Sequence, residues 1–244
     1  MNGSSARIAL ITGANKGIGL ETARRLGEAG LKVWLGARNA ASGEQAAATL
    51  REGGANVQAV VLDVLDPASI SAAAAKIEAE DGRLDLLINN AGINDPKDGK
   101  PGSVDPDAVR RIFDTNFFGV LAVTQAMLPL LRRSASASII NQSSDLGSIT
   151  QQGNADWKFA FVKSLGYSAS KAALNMLTVH LAAELKEAGI TVNAVNPGAT
   201  ATDLNQHRGH QTVEQGAAAG VRLALLEGDP VTGAFFGATQ IEPW

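Results

Sequence analysis

Tyr167 is the chain's one tyrosine, and it stands four residues before Lys171 in the run Tyr167-Ser168-Ala169-Ser170-Lys171. Residues four apart on a helix share a face, so an ammonium placed there favours the ionised form of a neighbouring phenol. A free phenol titrates near about 10. Bringing it toward neutrality lets it donate or take a proton at working pH, which a carbonyl/alcohol interconversion requires. The same spacing also suits a buried tyrosine beside a solvated lysine, so the rest of the chain has to decide.

A second group of residues has the chemistry of a nucleotide site. An apolar run leads into Thr12-Gly13-Ala14-Asn15-Lys16-Gly17-Ile18-Gly19 and then a helix. Glycine permits tight turning and close backbone approach, and a helix N-terminus offers free N–H groups and a positive dipole end to a pyrophosphate. The spacing G-x-x-x-G-x-G differs from the commoner G-x-G-x-x-G fingerprint, and alone it would also serve as a plain strand-to-helix turn. After the next apolar run comes Gly36-Ala37-Arg38-Asn39, where an NAD-selective site usually offers an acid to the adenosine ribose. Ala37 offers none. Arg38 with Lys16 could instead clamp the 2′-phosphate of NADP by charge-assisted hydrogen bonds, although each alone reads as a solvated cation. Leu62-Asp63-Val64 and Asn89-Asn90-Ala91-Gly92 close two further runs. Asp63 could accept from an adenine amino group, and Ala91 and Gly92 leave room for a cofactor against the backbone; a helix cap and a plain turn are the alternatives.

These residues need a scaffold that gathers strand ends. Short apolar runs alternate with longer amphipathic or alanine-rich stretches, the pattern of βαβ units in a parallel sheet. Strands are predicted near Ile8–Thr12, Lys32–Ala37, Val57–Leu62, Leu84–Asn89, Ser138–Asn141, Thr191–Val195 and Ala234–Phe236. Helices are predicted near 17–29, 43–52, 67–80, 107–132, 168–188 and 212–226. The expected fold is α/β: a Rossmann-like, doubly wound parallel sheet of about seven strands, with helices on both faces and a ligand crevice at the carboxyl ends of the strands.

Composition bounds the function. A chain of 244 residues, 45% hydrophobic and 18% charged, suits one large α/β domain spanning 1–244. The formal net charge of −3 and the lack of a Lys/Arg-rich run speak against nucleic acid or an anionic membrane as partner. There is no cysteine, hence no disulfide and no thiolate metal site, and the three histidines are not at metal-ligand spacing, so no metal is expected. His180, His207 and His210 are given no chemistry. Met1-Asn2-Gly3-Ser4-Ser5 leads into an apolar run without a basic flank or a long hydrophobic region, and no stretch is long enough to span a bilayer. The expected location is cytoplasmic.

With the glycine turn, the N-N-A-G run and Y-x-x-x-K in order, the chain resembles the short-chain dehydrogenase/reductase family along nearly its whole length. Asn116 in Thr115-Asn116-Phe117-Phe118-Gly119, the pair Ser143-Ser144, and Asn196-Pro197-Gly198 followed by Thr202 complete the likeness. The resemblance implies an NADP(H)-dependent carbonyl reductase acting on ketones or aldehydes. It makes Tyr167 the general acid of reduction and the base of the reverse reaction. Lys171 would lower the phenol's pKa and hold the nicotinamide ribose. Ser144, three residues before Gly147, would orient the substrate oxygen, with Ser143 as the fallback. Asn116 would hold a water in a relay to Lys171; its alternative is a polar residue bending a helix. Pro197, Gly198, Thr200 and Thr202 would embrace the nicotinamide. Hydride transfer itself is the cofactor's chemistry.

The chain departs from the compact members of that family between Ser144 and Tyr167. The insertion near 148–165 carries Trp157, Phe159, Phe161, Val162 and Leu165 and resembles those of carbonyl-reductase-like members. With the stretches 93–104 and 199–211 it could wall an apolar substrate pocket, or its aromatics could simply dock it on the body. It also leaves open whether the helices 107–132 and 168–188 pair two subunits or four, or whether the chain stays a monomer. Two rivals remain. Reduction of 3-oxoacyl groups on a carrier protein would favour a basic docking patch, which is not evident. A catalytically idle NADP-binding sensor would be free to lose the tyrosine or the lysine, and this chain keeps both. No G-x-S-x-G elbow with a histidine supports a hydrolase.

Overall fold

The chain's apolar runs pair as one sheet in the computed structural model, which describes residues 6–226 and 231–244; residues 1–5 and 227–230 of the expected 1–244 extent lie outside them. Strands β1 (Ile8–Ile11), β2 (Lys32–Ala37), β3 (Val57–Val61), β4 (Leu86–Asn89), β5 (Ser138–Gln142), β6 (Thr191–Val195) and β7 (Phe235–Phe236) run in the order β3-β2-β1-β4-β5-β6-β7. Every pairing is parallel, as expected of strands that read as continuous apolar runs because both sheet faces are covered. β1 and β4 illustrate this, being buried at all four positions each.

Helices α1 (Gly17–Glu28), α2 (Ala40–Glu52) and α8 (Val213–Ala224) cover one face, placing Leu26, Leu50 and Val221 in a shared core. Helices α3 (Pro67–Asp81), α5 (Val120–Leu131) and α7 (Leu165–Glu184) cover the other, through Ile77, Met127 and Leu181. Successive strands lead outward from β1 in opposite directions, to β2 and to β4. The crevice at this reversal faces the ends of β1 and β4, where the glycine turn and Asn90-Ala91-Gly92 lie.

Several helix boundaries differ from the sequence expectation, and three of them bear on the site. α2 begins three residues early because the Asn39 side chain accepts from Ser42 N at 2.9 Å, an N-cap that alanine-rich periodicity does not reveal. The stretch 107–132 is not one regular helix: α4 (Pro106–Phe113) passes through a π-helical turn, Asp114–Gly119, into α5. Such turns insert an extra residue and recur at functional sites. α7 begins at Leu165 rather than 168, so Tyr167 sits inside its first turn. The insertion adds a short helix, α6 (Ile149–Gln152), capped by Ser148.

Candidate active site

The glycine turn is built by close packing against the end of β4. Gly13 and Gly17 have φ of 61° and 57°, a region where only glycine is unstrained. A Cβ on Gly13 would also lie 3.0 Å from Ala91 Cα. Thr12 Oγ1 accepts from Asn90 N and Ala91 N, each at 3.0 Å. The Asn90 side chain donates to Thr12 O at 2.9 Å and Gly13 O at 3.1 Å. Asn90 therefore staples the two strand ends together. α1 starts at Gly17 with no side-chain cap, Lys16 being its capping position, and Ile18 packs its side chain into the core beneath.

Around the adenosine end the expected residues separate. Arg38 is exposed, and among the described residues it has no hydrogen-bond or ion-pair partner. Lys16 is engaged: Nζ donates to Asp203 Oδ2 at 2.6 Å, and this ammonium holds the Asp203 carboxyl below the usual carboxylate range. Asn15 Nδ2 donates to Ser42 Oγ at 3.3 Å. Asp63 is not the cap of α3; that is Asp66, which accepts from Ala68 N at 2.9 Å. Asp63 Oδ1 accepts from Leu65 N at 3.0 Å, and Val64 packs against Gly119, where a Cβ would come within 2.9 Å.

The reacting end gathers residues from four elements. Ser144 Oγ donates to Asp145 Oδ1 at 3.4 Å and accepts from Leu146 N at 3.2 Å, and its hydroxyl lies close enough to the Tyr167 phenol to favour the ionised form. Ser143 is turned away, donating to Asn175 Oδ1 at 2.5 Å, so Ser144, not Ser143, faces the phenol. Lys171 Nζ lies 5.7 Å from the Tyr167 ring centroid and donates to Gln142 O at 2.7 Å. It also lines a narrow gap beside Gly92, where a Cβ would sit 3.6 Å from Nζ and 3.4 Å from Asn116 Oδ1. The Asn116 side chain is fully occupied. It accepts from Ile93 N at 2.8 Å and donates to Ile93 O at 3.0 Å and Ser170 Oγ at 3.1 Å. It pins the π-helical turn to the strand-β4 loop and does not itself reach Lys171.

Electrostatics here run against the simplest sequence argument. Burial pushes the Tyr167 phenol up to about 12, the Ser144 hydrogen bond opposing and the Asp145 charge adding to it. Burial also lowers the Lys171 ammonium to about 8. In the protein alone, desolvation is the largest influence on both groups. At neutral pH the pair is still phenol plus ammonium.

Three features suit the site to a dinucleotide. The α1 amides have no side-chain cap. A buried lysine ammonium has three donors, and Gln142 O is its one hydrogen-bond acceptor among the described residues. Gln211 Oε1 is buried without a partner, with its amide within 3.0 Å of where a Gly198 Cβ would stand. Gly198 itself has φ 69°. Beside it, Thr200 Oγ1 donates to Pro197 O at 3.0 Å, and the Thr202 methyl lies 3.6 Å from a Cβ built at Gly17. The loop carrying Pro197 to Thr202 thus closes over the glycine turn.

Comparison with known proteins agrees with this geometry. Residues 7–213 match the family model for short chain dehydrogenase. The chain belongs to the short-chain dehydrogenase family. Over 98% of its length it is 34% identical to "Short-chain dehydrogenase/reductase 1" of Saponaria officinalis, covering 96% of that protein. Among solved structures, an NADPH-bound carbonyl reductase from chicken fatty liver superposes with a TM-score of 0.84 at 32% identity, covering 98% of this chain and 99% of that one. Salutaridine reductase from Papaver somniferum gives 0.82 at 30%, covering 94% and 99%. The family is one of oxidoreductases, and the superpositions extend over this chain's seven-stranded parallel sheet and covering helices.

The insertion contributes to an apolar cavity. A cavity of about 280 Å³ lies among Leu146, Ile149, Val162, Leu165, Ala169 and Ala172, with Pro101 at its edge. α7 lines it through Leu165, Ser168, Ala169 and Ala172, and Tyr167, Ser144 and Lys171 are not among its lining residues. The insertion's aromatics meet one another edge to face, Trp157 with Phe159 at 5.5 Å and Phe159 with Phe161 at 6.5 Å. Phe161 remains 78% exposed. Sequence reasoning missed Asp145, whose carboxyl is pushed up by burial beside Ser144, and Asp98, Gln142, Asp203 and Gln211. None stands in a motif; each matters through a contact more than seven residues away or through its burial. Among the described residues, no helix is long and apolar enough to cross a membrane.

Proposed function

We propose that the protein is an NADP(H)-dependent reductase of ketones or aldehydes, reversible toward the alcohols. The observation that carries this reading is the convergence of the Ser144 hydroxyl and the Lys171 ammonium on the single phenol of Tyr167. Bound NADPH supplies a hydride to the carbonyl carbon. Tyr167, protonated at neutral pH as any phenol is and held so further by burial, gives its proton to the carbonyl oxygen as negative charge develops there. Ser144 donates a hydrogen bond to that same oxygen and fixes its distance from the phenol. Lys171, still an ammonium below about 8, stabilises the phenolate left behind and has donors free for ribose hydroxyls. In the reverse direction the phenolate is the base. Asn116 shapes the π-helical turn over this pair. Gly13 to Gly19 take the pyrophosphate, Ala91 and Gly92 keep the wall low, and Pro197 to Thr202 cover the nicotinamide.

The choice of NADP over NAD rests on Arg38, exposed and unengaged at the end of β2, with no carboxylate at Ala37 to repel a phosphate. The NADP- and NADPH-bound solved relatives favour the same choice. The insertion near 148–165 is proposed as a flap that walls part of an apolar substrate pocket through Ile149, Val162 and Leu165. The test is optical NADPH consumption by the purified protein against aryl ketones, aldehydes, diketones and 3-oxoacyl thioesters, with NADH in parallel. Carbonyl-dependent oxidation of NADPH is expected. Tight NADPH binding without turnover of any of these would overturn the reading.

A further inference from the structure

The first four N–H groups of a helix have no partner within it, and the first turn of α7 carries Tyr167. Ser164, at the capping position, provides no side-chain cap. Residues 98 and 99, on the loop after β4, take three successive amides instead. Gly99 O accepts from Leu165 N at 3.0 Å. Asp98 Oδ1 accepts from Gly166 N at 2.7 Å, and Asp98 Oδ2 from Tyr167 N at 2.9 Å. Oδ1 also accepts from Gly99 N at 2.8 Å, which holds the carboxylate in the plane that the two helix amides require.

The residue types suit this grip. A carboxylate at a helix N-terminus is favoured by the helix dipole, and hydrogen bonds to an ionised acceptor are roughly twice as strong as neutral ones. Gly166 gives the space: a Cβ there would lie 2.9 Å from Ile112 Cδ1 and 3.1 Å from Asp98 Oδ1. Two oxygens on consecutive amides fix both the height of the helix start and its rotation about the axis. Since one of those amides is Tyr167's own, the phenol's origin is set by a residue 69 positions away in the chain.

We infer that Asp98 is a positioning residue, whose carboxylate sets the place of Tyr167 at the reacting centre and ties it to the loop from Ile93 to Asp105. The inference deepens the proposed reductase function and rests on Tyr167 as its proton donor. A misplacement of about 1 Å at a reacting group can cost about a hundredfold in rate. An ordinary cap, by contrast, would change stability and leave the chemistry of each folded molecule alone.

The experiment is a double-mutant cycle: carbonyl reduction by the native protein, Asp98→Ala and Asp98→Asn, each also in the Tyr167→Phe background. Rates are taken per NADPH-binding site, counted by fluorescence titration. Asp98→Ala is expected to lower kcat by about tenfold to a hundredfold, with NADPH affinity within about twofold. Asp98→Asn should recover part of the loss, since its one carbonyl oxygen still accepts from an amide. In the Tyr167→Phe background the same changes should alter the residual rate by less than about twofold, because the group they position is gone. An equal fold-loss in both backgrounds, or an unchanged kcat in Asp98→Ala, would overturn the inference while leaving the reductase reading intact. If Asp98→Ala does not fold, Asp98→Asn carries the same cycle. Absence of turnover by the native protein would instead remove the reading and the inference together.

Discussion

Replacing Lys171 with methionine should make the protein more stable at neutral pH and unable to turn over, a pairing that follows from the burial of the ammonium. The difference between the lysine's ordinary 10.5 and about 8 in the fold corresponds to about 3 kcal/mol, at about 1.4 kcal/mol per pH unit. Methionine fills similar space without a charge. It loses the hydrogen bond to Gln142 O, which offsets the gain by about 1–2 kcal/mol. The net, about 1–2 kcal/mol, corresponds to a rise of roughly 3–6 °C in Tm for a chain of this size. The sign with pH is specific. Between about 8 and 10.5 the unfolded lysine holds its proton while the folded one has lost it, so native stability rises with pH across that window and is lowest below about 8. The gap between variant and native protein should therefore shrink from pH 7 to pH 10 and then reverse. Tyr167 contributes a fall in stability from 10 toward about 12, identical in both proteins. Thermal and urea unfolding without cofactor, at pH 7, 8.5 and 10, measures this directly. A variant less stable than native at pH 7, or a gap that does not move with pH, would refute the argument that desolvation governs this lysine.

Tyr167→Phe should lower carbonyl reduction by about a hundredfold to ten-thousandfold while NADPH binding, followed by fluorescence, changes by less than about threefold; retained turnover would remove the phenol as proton donor. Arg38→Asp should weaken NADPH by about tenfold or more, through a lost charge-assisted contact and a new repulsion, with NADH nearly unaffected. Equal losses in calorimetric titrations of the two cofactors would count against Arg38 as selector. Asp203→Asn releases Lys16 from its 2.6 Å ion pair and should tighten NADPH by about twofold to fivefold relative to NADH, the modest scale of an exposed pair; weaker NADPH binding would mean that Asp203 holds the loop over the cofactor rather than competing for the lysine. In the native protein, the reduction rate should decline as pH rises through about 8, where Lys171 loses its charge, and a rate flat to pH 10 would contradict the ammonium's role.

Much of this protein was legible from local pattern, because the signals involved are local. A strand covered on both faces must be a continuous apolar run, and a parallel neighbour must be reached through a helix, so β1 to β7 and most helices between them could be read from the pattern of apolar runs, though not the π-helical break between α4 and α5 or the short α6. A turn that approaches a phosphate needs glycine, and Gly13 and Gly17 carry the positive φ that the spacing implied. Tyr167 and Lys171 share a face wherever a helix forms around them. Tertiary structure decided what depends on neighbours distant in sequence. It turned Ser143 toward Asn175 and Ser144 toward the phenol, engaged Lys16 with Asp203 while leaving Arg38 free, and occupied the Asn116 side chain with Ile93. It brought Ile149, Val162 and Leu165 of the insertion to one cavity with Ala169 and Ala172 of α7, a meeting that no linear pattern describes. It also took the tyrosine and the lysine out of water, so that desolvation shifts both. Spacing along the chain specifies which groups can meet, but their charge states follow from the water that the whole fold excludes.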